Sequence, residues 1–159
     1  MDEITPPKRL GRFEILRPLG EGGMGQVYLA KDPTIGREVA IKVINTELVK
    51  GGRGRERFIH EAKAAGSLSH PNLITIHEFG EDEGVLFLVM EYLPGQDLSV
   101  FLRNHSISQE EALEICAQIC DGLASAHERG IFHRDVKPSN VRVRRESGRL
   151  LVKLMDFGV

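Results

Sequence analysis

The chain has 159 residues, a length that suggests one domain, and carries 21 Lys plus Arg against 23 Asp plus Glu for a net charge of −2. That balance argues against nucleic-acid or anionic-membrane binding, because neither field would attract it. With 41% hydrophobic and 28% charged residues, the composition is that of a globular chain and excludes disorder and collagen-like repeats.

Residues 1–11 read as a polar, proline-bearing, mobile lead-in with no apolar stretch of the kind a secretory signal needs. Strand-like runs follow at Phe13–Leu16, Gln26–Ala30, Glu38–Ile44, Leu73–Phe79 and Val85–Glu91, with a hairpin-like Gly80–Gly84 joining the last two. A helix is predicted over about Arg55–Leu68, where Phe58, Ala62 and Ala65 fall at helical spacing. The basic residues Lys50, Arg53 and Arg55, set among glycines, read as a solvated loop. The longest apolar run, Val85–Met90, is far shorter than the roughly 20 residues that span a bilayer.

After Pro94-Gly95 the pattern turns helical. Asp97 is placed to cap a short helix over Leu98–Arg103, and Ser108 with Glu111 forms a capping box opening a longer one. The apolar stripe of that helix reads Leu113, Cys116, Cys120, Leu123 and His127, and Gly130 sits where a C-terminal glycine is expected. Cys116 and Cys120 lack the Cys-x-x-Cys spacing of redox or zinc sites and are expected to be small core residues. A reduced, cytoplasmic compartment fits them, with any membrane tether of a longer protein lying outside this chain. Two short strand-like runs close the chain, Val141–Arg144 and Leu150–Met155.

Gly20, Gly22 and Gly25 form a G-x-G-x-x-G, weak by itself. A dinucleotide fold would need a helix after it, whereas Gln26–Ala30 looks like a strand, which favours a glycine-rich hairpin laid over phosphates. Lys42 sits in the apolar strand Val39-Ala40-Ile41-Lys42. It reads either as an exposed strand lysine or as a phosphate contact held by an acid such as Glu61. His133-Arg134-Asp135-Val136-Lys137-Pro138-Ser139-Asn140 is more informative. There Asp135 can accept a hydroxyl proton, Lys137 can neutralise a transferring phosphate, and Asn140 can bind a metal through its amide oxygen. Asp156-Phe157-Gly158 adds a carboxylate for a metal bridging phosphate oxygens. The six histidines suggest no metal site.

These motifs, in this order and spacing, make the chain resemble a eukaryotic-type (Hanks-type) protein kinase. Gly20–Tyr28 (GEGGMGQVY) and Ser69–Leu73 (SHPNL) look most like the bacterial Ser/Thr kinases, and Lys137 in HRDVKPSN points to Ser/Thr specificity. The resemblance implies an α+β kinase-like fold. Its N-lobe (12–92) would hold five antiparallel strands and one helix, and a partial, mainly helical C-lobe (93–159) would be truncated after the DFG motif. It implies transfer of the ATP γ-phosphoryl group to protein Ser/Thr hydroxyls, with ATP and Mg2+ as cofactors. The alternative is a catalytically incompetent, kinase-derived ATP-binding or interaction module. By matching position, Leu19, Gly20, Glu21, Gly22, Gly25, Val27 and Ala40 would enclose the nucleotide. Lys42 would hold its phosphates, paired with Glu61. Met90 would be the gatekeeper, with the Glu91 carbonyl and the Leu93 amide reading the adenine edge. Asp135 would be the catalytic base and Lys137 the γ-phosphate contact, with Asn140 and Asp156 as magnesium ligands.

One position departs from the family inside the site. Where an apolar residue usually lies under adenine, this chain has Arg142. The alternation Val141-Arg142-Val143-Arg144 favours an ordinary strand with Arg on its exposed face. The family register instead puts Arg142 beneath the base, where it would either stack or weaken binding through its desolvation.

Overall fold

The computed structural model describes residues 8–22, 25–45 and 52–157, so the expectations for residues 1–7, Lys50 and Gly158 lie outside the described residues. The chain forms two compact units, residues 1–63 with 76–92 and residues 64–75 with 93–159. Residues 64–75 therefore group with the C-terminal unit and not with the expected 12–92 segment.

The N-terminal unit is an antiparallel sheet of β1 (Arg9–Leu10), β2 (Phe13–Gly22), β3 (Gly25–Asp32), β4 (Arg37–Ile44), β5 (Ile76–Asp82) and β6 (Val85–Glu91), ordered β1-β2-β3-β4-β6-β5. The five expected strands are joined by a sixth, β1, inside the stretch read as a mobile lead-in. Leu10 pairs with Phe13 and is 4% exposed, so its burial draws the chain into the sheet. One sheet face carries a core of Leu10, Phe13, Ala30, Val39, Ile41, Phe87 and Val89, with Phe13 edge-on to Phe87. The period-2 alternation sends the intervening residues to the other face.

Helix α1 (Gly52–Gly66) starts earlier than expected and takes Arg53 and Arg55 out of the predicted loop. Arg55 forms an ion pair with Glu81, and Phe58 packs on Phe79 at 6.0 Å between ring centroids. The strand expected from Leu73 starts only at Ile76. Leu73 instead bridges Leu154 in parallel, and Ile74 N–H donates to the Leu154 carbonyl at 2.9 Å.

The C-terminal unit holds α2 (Leu98–Asn104), α3 (Gln109–His127) and a three-stranded sheet of β7 (Gln96–Asp97), β8 (Val141–Glu146) and β9 (Arg149–Leu154). Both predicted caps are present. The Asp97 carboxylate accepts from Val100 N–H at 2.9 Å, and Ser108 with Glu111 makes the reciprocal capping box. Gly130, at φ +71°, turns the chain after α3 and donates to the His127 carbonyl.

The buried stripe of α3 differs from the predicted one. Ile115, Gly122 and Ala126 face inward, whereas Cys116 and Cys120 are exposed, so the cysteines are not core residues. Close packing decides the matter: a Cβ at Gly122 would lie 2.9 Å from a Leu73 methyl and 3.1 Å from the Asn72 carbonyl. Gln118 fixes the rotation, since its side chain donates to the Leu150 carbonyl at 2.8 Å and accepts from Val152 N–H at 3.0 Å. Among the described residues, no helix is long and apolar enough to cross a membrane.

Candidate active site

In the N-terminal unit the strand register gathers the sequence-predicted residues on one sheet face. Gly20 pairs with Val27, Val27 with Lys42, and Ala40 with Met90. Residues paired across antiparallel strands share a face, so Val27, Ala40, Lys42 and Met90 form one patch opposite the core cluster. Lys42 is only 6% exposed, which overturns the reading of it as an exposed strand lysine. Glu61 is half-buried on α1, while Leu19 and Glu21 flank Gly20 on β2.

The glycines of the hairpin differ in what holds them. Gly25 sits at φ +140°, where a Cβ would lie 1.8 Å from the Val43 carbonyl oxygen, so no other residue fits. A Cβ on Gly20 would meet nothing within 4 Å, so packing within the unit does not require glycine there.

The C-terminal unit assembles the second group. The turn Pro138–Asn140 follows Lys137 and leads directly into β8. Asn140, 7% exposed, uses its side-chain Nδ2 twice, donating to the Asp135 carbonyl at 2.9 Å and to the Asp135 carboxylate at 3.1 Å. Both amide hydrogens are thereby engaged, and Oδ1 has no protein partner among the described residues. Met155 N–H donates to the Asn140 backbone carbonyl at 2.8 Å, which fixes Asp156 as the next residue along. An amide oxygen and a neighbouring carboxylate suit magnesium, a hard cation that takes few protein ligands and completes its shell with phosphate and water.

Beneath this loop lies His133, 1% exposed. Its Nδ1 accepts from Asp135 N–H at 3.3 Å, and its Nε2 donates to the Met155 carbonyl at 2.7 Å. The ring packs on Phe157 at 4.7 Å. Sequence reasoning placed His133 only within a motif; the structure makes it the tie between the segments carrying Asp135 and Asp156. Two residues here hold the left-handed conformation, Arg134 at φ +64° and Asp156 at φ +57°, and strain of this kind clusters at functional sites.

Lys137 Nζ lies 2.7 Å from the Asp135 carboxylate, both side chains being about half exposed. The bond from Lys137, reinforced by its charge and by Asn140, holds the Asp135 carboxyl below its ordinary value against a smaller opposing effect of desolvation. Asp135 is therefore an ionised acceptor at neutral pH.

Arg142 is not the exposed strand arginine that the alternation favours. It is half-buried on β8 between Val141 and Val143, each 1% exposed, and its Nε donates to the Leu93 carbonyl at 3.1 Å. It is not simply solvated, and its charge is not left without a partner. A separate cavity of about 380 Å³ in the N-terminal unit, lined by Arg12, Asp32, Arg37 and His77, contains none of the predicted site residues.

The protein kinase domain model matches residues 13–159. The chain is 40% identical over 150 residues to the serine/threonine-protein kinase PrkC of Bacillus subtilis, covering 94% of this chain and 23% of that protein. It is also 40% identical over 151 residues to PknF of Mycobacterium tuberculosis, covering 92% of this chain and 32% of that protein. The crystal structure of the Mycobacterium tuberculosis PknI kinase domain superposes with a TM-score of 0.82 at 32% identity, covering 95% of this chain and 61% of that one. The chain thus spans about a quarter of the PrkC sequence and about three-fifths of the solved kinase domain. The family uses ATP and magnesium and acts on protein substrates. On the match over residues 13–159 and these relatives, the chain belongs to the protein kinase family, among the Hanks-type bacterial serine/threonine kinases.

Proposed function

We propose that this chain binds Mg-ATP and supplies the phosphoryl-transfer residues of a serine/threonine protein kinase. The observation that carries the reading is the arrangement in which Asn140 and Lys137 both engage the Asp135 carboxylate. In this reading Gly20, Gly22, Gly25 and Val27 cover the nucleotide. Lys42 holds the α- and β-phosphates with Glu61 as its acid. The Glu91 carbonyl and Leu93 amide read adenine beside Met90.

The Asp135 carboxylate orients a substrate Ser or Thr hydroxyl and receives its proton. The hydroxyl oxygen bonds to the γ-phosphorus as the bond from that phosphorus to the bridging oxygen breaks, and ADP leaves with the electron pair. Lys137 offsets the charge on the transferring group. Asn140 Oδ1 and the Asp156 carboxylate would hold magnesium, which would supply charge neutralisation at the phosphates. The lowered carboxyl of Asp135 keeps it an acceptor throughout the neutral range.

The alternative reading is an ATP-binding or interaction module without turnover. Transfer of labelled γ-phosphate to a generic protein substrate separates the two, with Asp135→Asn as control. The kinase reading requires transfer that the control lacks. Nucleotide binding without transfer supports the module.

A further inference from the structure

Gly95, at φ +119°, lets the chain after Leu93 press onto β8, where a Cβ would lie 2.5 Å from the Val143 carbonyl oxygen. The register Gln96↔Val143 and Asp97↔Arg142 then fixes the segment on that strand. These contacts deliver the Leu93 carbonyl to the Arg142 guanidinium at 3.1 Å. Arg142 also faces the Asp97 carboxylate. Desolvation there is outweighed by bonds from Ser99 and Val100 and by the charges of Arg142 and Arg103, so that Asp97 stays ionised. The guanidinium is thus held at a carbonyl that belongs to a residue proposed to read the base.

We propose that Arg142 is a specificity-determining residue that selects adenine, with hydrogen at position 2, over purines bearing a 2-amino group. The inference rests on the reading in which the Leu93 amide reads the adenine edge, taken here as donation to N1, the ring acceptor beside the 6-amino group that the Glu91 carbonyl would accept from. Position 2 adjoins N1 and falls on the side of Leu93's own carbonyl. In most surroundings that carbonyl would welcome an amino group as a further donor. Here one lone pair already accepts a charge-assisted bond. A second donor must bring its positive hydrogens beside a full positive charge, and the half-buried setting does little to screen that repulsion. The amino group loses its water and gains a poor bond in return.

The test is the affinity ratio of 2-amino-ADP to ADP, both with magnesium, measured by calorimetry on the wild-type chain, Arg142→Leu and Arg142→Gln. Circular dichroism establishes folding of each. The wild type should bind 2-amino-ADP no better than ADP. Arg142→Leu should raise the ratio roughly three- to tenfold, the size of one recovered hydrogen bond. Arg142→Gln, which keeps a donor and loses the charge, should fall between and serves alone if the leucine variant does not fold. A merely structural role would weaken both nucleotides equally and leave the ratio unmoved. An unchanged ratio among proteins that all bind ADP overturns this inference and leaves the adenine reading standing. No ADP binding by the folded wild type overturns the adenine reading and this inference with it.

Discussion

The side-chain amide of Asn140 donates to both the backbone carbonyl and the carboxylate of Asp135, so one buried residue fixes the carboxylate through its nitrogen, and its oxygen is the atom proposed to hold magnesium. This couples the two proposed roles, proton acceptance at Asp135 and magnesium binding at Asn140. Replacing Asn140 with Ala should therefore damage both. Phosphoryl transfer should fall by about 100-fold or more, the scale of a misplaced acid-base group. The magnesium concentration for half-maximal nucleotide binding should rise as well. Asp135→Asn should lower transfer similarly while leaving the magnesium requirement near wild type. Titrating magnesium at fixed nucleotide distinguishes the two variants, and identical magnesium curves would contradict the coupling.

Gly20 and Gly25 should separate a ligand effect from a folding effect. Gly25→Ala drives a methyl into the Val43 carbonyl and should cost on the order of 1–3 kcal/mol in denaturant unfolding. Gly20→Ala meets open space and should change stability by less than about 0.5 kcal/mol. In the proposed reading it nonetheless weakens nucleotide binding several-fold, because its methyl occupies room meant for phosphate. Equal stability losses in the two variants would contradict the distinction.

His133 should matter to stability in a way its ring alone does not explain. Phe at this position keeps the packing on Phe157 but leaves Asp135 N–H and the Met155 carbonyl without their partner. Loss of the pair should cost about 1–3 kcal/mol, read from the urea midpoint. A change within error would show that water replaces both bonds.

Much of this was legible in the chain itself, where chemistry is local. The Asp97 cap and the Ser108–Glu111 box depend on residues three apart, and the structure has both. Features settled by distant contacts were not legible. Two stripes on α3 are comparably apolar, and periodicity does not say which turns inward. Gly122 was the usable sign, since a small residue marks close approach, in this case to Leu73 and Asn72. Strand β1 exists because Leu10 reaches the Phe13 cluster, a fact that a polar lead-in conceals. Arg142 shows the same limit: strand alternation assigns a face, while the partner carbonyl comes from Leu93, 49 residues away.

The ionisation of Asp135 has a definite direction. Folding favours its carboxylate, so the contribution to stability is complete above the ordinary carboxyl value of about 3.9 and is lost as pH falls through the lowered folded value. Carbon-13 NMR of the Asp135 carboxyl should give a midpoint below that ordinary value. In Lys137→Met the midpoint should move upward, because the bond from Lys137 is the largest cause. A midpoint unmoved by that substitution would mean that Asn140 alone sets it.

The central proposal is that this chain binds Mg-ATP. Its most direct test is calorimetric titration of the folded chain with a non-hydrolysable ATP analogue, with and without magnesium, beside Lys42→Met and Asp156→Asn. The account predicts magnesium-dependent binding that Lys42→Met weakens at every magnesium concentration and from which Asp156→Asn removes the magnesium dependence. Binding that is indifferent to both substitutions, or no binding by a demonstrably folded chain, would contradict it.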